Sequence, residues 1–460
     1  MLFAQKQRLT RDILWSTDAH ATASGEAPMR PFDPSARQRM PLLDWAATRA
    51  GEAEPLRGWH VLFLQHQLEN HLPQAEVILD LGVRVEEFHW MDIPYTSSPE
   101  IREELIQRRG IPRANFICHD YSLEQRYNSY QRLRVIHWIN AFIKAHGVDA
   151  PLLVLDDGGY FLEAMICLRQ HLKRLVIVEQ TTRGIIKYNH NAAIRYYCSQ
   201  VPVINIAESR PKKQVEPAFI SAAVCGATMD KIANLPTAIA ILRQSPRVLV
   251  MGYGAIGKAV ATDLVERIGI ERTDVHVFDV NEEAQQLALS HGFSAWDRSE
   301  FKGGFGGGFG IVVGCTGTCS FNMWDYVHLA PESLLISASS GASELAREDF
   351  VEYAQATDSD DVHVLNPEGL EVGDIHADIR LQVIDHTIHI ANGGFPVNFD
   401  GHLNRIPAEQ MQITQAMMVY GAIQAVRSIG QGGLVPLDEV FADELIEKFS
   451  ELQRQPGNRA

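Results

Sequence analysis

Short, wholly apolar runs alternate with longer helix-like stretches along most of this chain. His60 to Gln65 is one such run. A helical segment, Glu69 to Leu81, follows it, and Val83 to Phe88 reads as a second strand. Tyr121 to His146 has helical periodicity. Pro151 to Leu155 and Leu175 to Val178 are short buried strands that end in Asp156-Asp157-Gly158-Gly159 and Glu179-Gln180-Thr181-Thr182. Strands alternating with helices build parallel sheets joined by crossover helices. In such sheets the polar residues just past strand C-termini line a ligand crevice, and both polar clusters sit there.

The alternation restarts near Thr228. Arg247 to Met251 reads as a strand, Lys258 to Ile268 as a helix and Asp274 to Asp279 as the next strand. Gly303 to Gly310, with six glycines in eight residues, reads as a loop before the strand Ile311 to Val313. Arg380 to Ala391 alternates strongly around a turn at Asp385-His386. Asn392-Gly393-Gly394 then leads to a long helix, Pro407 to Ile429. Gly430 to Leu434 looks like a hinge, Asp438 to Leu452 like a final helix, and Gln453 to Ala460 like a frayed tail. The first residues, to about Glu54, are mixed, and Ala21 to Arg37 reads as a loose arm. There is no internal repeat.

Composition narrows the class of protein. The 460 residues suggest two or three domains, and 46% apolar with 21% charged residues is the balance of a globular chain. A net charge of −16 repels a phosphate backbone, so no nucleic-acid partner is expected. The six cysteines have no regular spacing and form no CxxC, which fits a reduced, cytoplasmic protein. The N-terminus lacks the pattern of a signal peptide, and no apolar run has the length of a membrane span, so no membrane partner is expected.

The sharpest motif is Gly252-Tyr253-Gly254-Ala255-Ile256-Gly257, placed between a buried strand and a helix. Gly252 makes the tight turn, Gly254 lets the backbone approach a pyrophosphate, and Gly257 lets the helix pack closely. The helix N-terminus then favours the phosphate charge. Asp279 ends the next strand, about 20 residues after the last glycine. An acid there accepts from the ribose hydroxyls and repels a 2′-phosphate, which favours NAD over NADP.

These segments, taken in order, resemble the adenosylhomocysteinases. The likeness covers roughly residues 58 to 445. It rests on Leu155-Asp156-Asp157-Gly158-Gly159, on Glu179 to Gly184, and on Pro202 to Asn205 with Lys212. It continues through Gly252 to Lys258, Cys315-Thr316-Gly317 and Asn392-Gly393-Gly394. The resemblance implies an α/β fold in which a Rossmann-type NAD domain, 226–391, is inserted into a second α/β substrate domain, 58–225 with 392–430. Residues 1–57 would form an N-terminal arm with helices. Residues 431–460 would form a C-terminal helical segment that supports a homodimer or homotetramer. It implies a small-molecule substrate and a tightly held NAD that works within one turnover. A hydroxyl is oxidised, the adjacent C–H becomes acidic, a leaving group is eliminated, water adds, and the ketone is reduced. His66, Asp157 and Lys212 match the family's catalytic residues, with Glu216 in place of a catalytic Asp. Thr181, Thr182, Asp279, Thr316, Gly317 and Asn392 fall at cofactor positions, together with the glycine turn. Gln180 and His402 fall at substrate positions.

The departures point away from S-adenosylhomocysteine itself. Gln180 replaces a Glu, Ser221 a Cys, Ser340 a His, Ala207 an Asn and Arg183 a Thr. Leu68 and Asn70 replace a Thr and a Glu that recognise adenine. The readings left open are an enzyme of this type with another nucleoside-like or polyol-like substrate, S-adenosylhomocysteine hydrolysis itself, a non-catalytic NAD-binding regulator, and an ordinary dehydrogenase using exchangeable NAD.

The residues also have readings of their own. Beside Lys213, partial burial would favour Lys212 as a base for a hydroxyl proton; a solvated basic turn is the bland alternative. Asp157 orients a hydroxyl or caps the following helix. His66 is a catalytic or a core histidine. Gln180 can bond a hydroxyl without taking its proton. His66 and His71, five apart, would fall on different faces of a helix, and His386 and His389 on opposite faces of a strand, so no metal site is expected.

Overall fold

The structure is a computed structural model that describes residues 32–123, 125–234, 236–298, 308–339, 344–357, 362–365 and 375–454. The described chain forms two compact units. One comprises the described residues of 32–217 and 401–454, and the other, those of 218–400, is inserted between them in sequence. The boundaries differ from those expected. Residues from Phe32 onward pack with the first unit rather than forming a separate arm, and the Asn392 loop stays with the inserted unit. The rest of the expected arm, residues 1–31, lies outside the described residues, as does Ser340.

Among the described residues the first unit holds a seven-stranded sheet. Its order is Phe116–Ile117, Phe88–Met91, His60–Leu64, Leu152–Asp156, Leu175–Glu179, Pro202–Asn205 and Gly433–Pro436. Every pairing is parallel. This is the doubly wound order 3-2-1-4-5-6 with one strand added. The second strand lies later than expected. Val85–Glu87 is a single 3-10 turn, and the strand begins at Phe88. The reason is burial: Trp90 pairs in register with Phe63 inside the sheet, so the continuous apolar run wins over the alternating one. The helix Ala408–Arg427 packs on the central strands. It comes so close that a Cβ on Gly421 would stand 3.0 Å from Val178 Cγ1.

The expected hinge at Gly430 to Leu434 is instead the start of the added edge strand, Gly433–Pro436, paired to Pro202–Asn205. Gly432 lets it approach, because a Cβ there would lie 1.8 Å from Ser199 O. The final helix runs Glu439–Arg454; the remainder of the expected frayed tail is outside the described residues.

Among the described residues the inserted unit has an eight-stranded sheet. Its order is Ser294–Ala295, Val275–Phe278, Val248–Met251, Phe309–Gly314, Leu329–Ser337, His386–Ile390, Asp378–Val383 and Val362–Leu365. The first six are parallel and the last two pairings are antiparallel. In the unit's chain order the eight run 3-2-1-4-5-8-7-6, so the first five again follow the doubly wound order. Val248 and Val250 join one apolar cluster and Leu249 and Met251 join the cluster on the other face. Burial on both faces is why these strands read as unbroken apolar runs.

Most of the glycine run, 303–307, lies outside the described residues. Its end is strand rather than loop: Gly310 belongs to Phe309–Gly314, and a Cβ there would stand 2.4 Å from Ser245 O. The hairpin turn falls one residue earlier than expected, at Ile384-Asp385, where Ile384 has φ +56°. No helix among the described residues is long and apolar enough to cross a membrane.

Candidate functional site

In each sheet the strand order reverses beside the unit's first strand, and polar residues gather at both points. In the inserted unit this point lies between Val248–Met251 and Phe309–Gly314. Gly252 turns the chain at φ +91°, and a Cβ there would meet Thr316 Cγ2 at 2.9 Å. A Cβ on Gly257 would lie 1.9 Å from Gly252 O, so the turn closes only with glycine at that position. Gly254 has open space around it, and Gly254 and Ala255 are exposed at the start of the helix Ala255–Glu266, with Ile256 half-buried. This is a cradle with its helix N–H groups available to an anion. The residues fit a dinucleotide pyrophosphate.

Asp279 closes one side of the cradle. Its Oδ2 accepts from Tyr253 N at 2.6 Å and its Oδ1 from Asn281 N at 2.9 Å. The half-buried carboxylate therefore braces the glycine turn, and its remaining lone pairs suit ribose hydroxyls. On the other side, Thr316 and Gly317 are held by a residue the sequence did not reveal, Glu344. One of its oxygens accepts from Thr316 N at 2.9 Å and Thr316 Oγ1 at 2.8 Å, and the other from Gly317 N at 2.9 Å. Burial pushes Glu344 above the usual carboxylate range despite donors from Ser320, Thr316 and Ser339.

Asn392 is fully buried with φ +52°. Its amide donates to Pro396 O and Phe399 O, both at 2.8 Å, and its Oδ1 meets His376 Nδ1 at 3.0 Å. Its side chain thus shapes a corner of this unit. Ser221 bonds Ala218 O at 3.0 Å.

In the first unit the order reverses between His60–Leu64 and Leu152–Asp156. His66 lies just beyond the first strand and Asp157 just beyond the second. They meet there, with His66 Nε2 at 3.4 Å from Asp157 Oδ2. On the other side of the ring, Nδ1 lies 2.8 Å from Thr96 Oγ1, which itself donates to Ile93 O. Thr96 therefore accepts from Nδ1, and Nε2 is the nitrogen that faces Asp157. Gln180 Nε2 donates to Asp157 Oδ2. Burial alone would raise Asp157, but His66, Lys212 and Gln180 together bring it below the usual carboxylate value.

The helix-capping role considered for Asp157 falls to its neighbour. Asp156 Oδ2 accepts from Phe161 N at 3.0 Å. Burial lifts Asp156 to about 7, and Lys187 opposes that rise. Glu179, its register partner on the next strand, accepts from Gly159 N at 2.9 Å, Thr181 N at 2.8 Å and Thr181 Oγ1 at 2.6 Å. Thr181 also caps the helix Thr182–His190 by accepting from Gly184 N at 3.0 Å. Its hydroxyl is thus engaged within the first unit, and Thr182 is exposed at the first helical position. Arg183, one of the departures from the resembled motif, is buried and donates to Tyr160 OH and Asn128 Oδ1.

Lys212 and Glu216 lie one helical turn apart in sequence, with Nζ at 2.7 Å from Oε2. The charge beside Lys212 is thus Glu216, and Lys213 is exposed. Thr414 Oγ1 donates to Glu216 Oε2 at 2.7 Å. His66 and His71 do not stand on different faces of one helix as expected. His66 precedes the helix, His71 opens it, and their ring centroids are 5.8 Å apart. Asn70 Oδ1 accepts from Gln415 at 2.6 Å. His402 lies exposed in a loop.

Sequence reasoning missed Thr96, Thr414 and Gln415, and weighed His71 only as a metal ligand. No local signal marks Thr414 and Gln415, since the helix Ala408–Arg427 also carries Glu409, Gln410, Gln412 and Gln424. Among the described residues no group of three or more His, Cys, Asp or Glu is arranged to hold a metal ion.

No family model matches the chain. The adenosylhomocysteinase resemblance therefore rests on the six motifs. Two curated relatives, both described as uncharacterized proteins of Mycobacterium tuberculosis (strains CDC 1551 / Oshkosh and ATCC 25618 / H37Rv), are 30% identical over 256 residues. That match covers 55% of this chain and 42% of each relative, so the chain spans less than half the length of the curated relatives it matches. Among solved structures, the dipicolinate synthase A chain of Bacillus subtilis is similar with a TM-score of 0.32 and 10% identity, over 63% of this chain and 83% of that one. D-2-hydroxyisocaproate dehydrogenase is similar with a TM-score of 0.25 and 11% identity, over 55% and 71%. Likeness at these scores says nothing about ligand or reaction.

Proposed function

We propose that this chain is an NAD-dependent enzyme of adenosylhomocysteinase type. It transiently oxidises a substrate hydroxyl so that elimination or hydrolysis follows at the adjacent carbon. Its substrate is nucleoside-like and is not S-adenosylhomocysteine. The observation that carries this reading is the meeting of His66, Asp157 and Gln180 at a switch point, in a chain whose other unit carries the glycine cradle. A binding module has no physical need to hold an acid–base pair there.

Bound in the cradle by Gly252 to Gly257 and Asp279, NAD would supply a hydride acceptor that later returns the same hydride. The other roles belong to side chains of the first unit. Lys212, anchored by Glu216 and through it by Thr414, gives a proton to Glu216 and takes up the one released from the hydroxyl. The His66–Asp157 pair takes the proton of the acidified adjacent carbon and returns it to the departing group. Gln180 Oε1 has no partner among the described residues and is buried, so it accepts from a substrate hydroxyl. Asn70, at a position where the family recognises adenine, has its carbonyl occupied by Gln415, which supports a different substrate.

The test is direct. Denaturing the purified protein should release NAD or NADH. Adding nucleosides to untreated protein without free NAD should raise reduced-nicotinamide absorbance. Lys212→Ala should slow that reduction by about 10²–10⁴-fold. If no NAD copurifies and added NAD does not bind, the cofactor reading is wrong; unchanged reduction by K212A removes Lys212 from the mechanism.

A further inference from the structure

Beside His66 lies a second histidine that no motif singles out. His71 is the first residue of the helix His71–Asp80 and is 2% exposed. Its ring sits 5.8 Å from that of His66 in an edge-to-face arrangement. Gln415 fixes its tautomer. The Gln415 amide gives one hydrogen to Asn70 Oδ1 at 2.6 Å, and its nitrogen lies 3.3 Å from His71 Nε2. With both amide hydrogens so used, Nε2 accepts, and the ring proton belongs on Nδ1. That Nδ1 is buried and has no hydrogen-bond partner among the described residues. A buried N–H without an acceptor is costly, about 1–3 kcal/mol, and is seldom left so without use.

We infer that His71 is a substrate-contacting residue, a neutral imidazole whose Nδ1–H donates to an oxygen of the hydroxylated substrate held by His66, Asp157 and Gln180. This deepens the reading above and rests on it for the identity of the substrate. The chemistry agrees with the surroundings. Burial, then His66 and Lys212, hold His71 well below the ordinary histidine value against the opposing pull of Asp157, and the positive end of a helix adds to the same effect. A group kept neutral in this way is a fixed donor: it polarises an oxygen without giving up its proton. It complements Gln180 Oε1, which is a fixed acceptor. Together they recognise neighbouring oxygens of an uncharged polyol-like group, one by donation and one by acceptance.

Two measurements on the full-length protein test this. Nitrogen NMR of histidine-labelled protein, with the His71 signals assigned from H71N, should show a neutral Nδ1–H tautomer that persists in mildly acidic buffer. An Nε2–H tautomer or an imidazolium overturns the proposal. The second measurement uses adenosine as the probe and reduction of resident NAD as the signal. His71→Phe, which keeps the shape and removes the donor, should lower kcat/KM roughly 10- to 100-fold. H71N, which keeps a donor near Nδ1, should recover most of it. Equal loss in both variants, with the NAD content and melting temperature of the wild type, would show the donor to be unimportant. If the wild type itself does not react with adenosine, the substrate reading falls, and the tautomer measurement alone decides His71.

Discussion

Replacing Glu344 by glutamine tests whether one buried carboxylate holds the second wall of the dinucleotide cradle. In the wild type, one oxygen takes Thr316 N, Thr316 Oγ1 and Ser320 Oγ, and the other takes Gly317 N. In E344Q the new amide oxygen is best placed toward the three donors. The amide nitrogen then faces Gly317 N–H, and a buried backbone donor loses its acceptor at a cost of ~1–3 kcal/mol. Part of that is offset, because an uncharged amide is cheaper to bury than a carboxylate. A net loss of ~1–2 kcal/mol remains. For a unit of this size each kcal/mol lowers Tm by about 2–4 °C, so the melt should fall by roughly 2–8 °C. Glu344→Ala leaves every donor unmet and a cavity beside Gly314, and should cost more than ~4 kcal/mol. Calorimetric melts of ligand-free protein measure both, and an NAD titration should show weakened binding, since Thr316 and Gly317 form the wall. An E344Q melt within about a degree of wild type with unchanged NAD affinity would refute the role given to Glu344.

The other expectations concern the turn, the cofactor preference and acid stability. Gly257→Ala forces a Cβ to 1.9 Å from Gly252 O, whereas Gly254→Ala meets nothing within 4 Å. G257A should therefore lower Tm and lose NAD, while G254A should melt like wild type and bind NAD more weakly, both read by nicotinamide released on denaturation. Asp279→Asn keeps an acceptor for Tyr253 N but removes the charge. It should raise NADP affinity relative to NAD by about tenfold or more, measured by competitive titration. In the first unit, His60, His89 and His146 cluster, with His60 centroids 6.2 Å from His89 and 4.4 Å from His146. Burial, then His60 and His146, lower His89 from 6.5 to about 4. A histidine depressed in the fold binds fewer protons folded than unfolded. Its stability is present above 6.5 and is lost as pH falls toward 4, amounting to ~3 kcal/mol. His89→Phe should flatten that part of a urea-denaturation pH profile; an unaltered slope would remove His89 from acid unfolding.

What the chain disclosed of itself depended on where the controlling contacts lie. Strands buried on both faces need unbroken apolar runs, so Leu152–Asp156, Leu175–Glu179 and Val248–Met251 were legible within a residue or two. Phe88–Met91 was displaced because an alternating run precedes an apolar one, and only the pairing with His60–Leu64 decides between them. Gly433–Pro436 was invisible because an edge strand needs little apolar surface and its glycines look like a hinge.

The same distinction governs the two sites. Gly257 is constrained by an atom five residues away, so its identity is written locally; His66, Asp157 and Gln180 each stand at a strand end, where position alone marks them. Their partners carry no such mark. Thr414 reaches Glu216 across 198 residues of sequence, Gln415 reaches His71 across 344, and Glu344 reaches Thr316 across 28. Thr414 and Gln415 lie on a helix packed against the sheet and Glu344 lies in a turn, and a polar residue there has no local reason that a sequence pattern can express. Its cause is the buried donor or acceptor it satisfies. It follows that the strand-end residues settle which chemistry is available, while the distant partners settle which tautomer, orientation and charge each of them holds. His71 shows the consequence. Its position at a helix start is ordinary, and only Gln415, from the far end of the chain, turns it into a fixed donor beside His66.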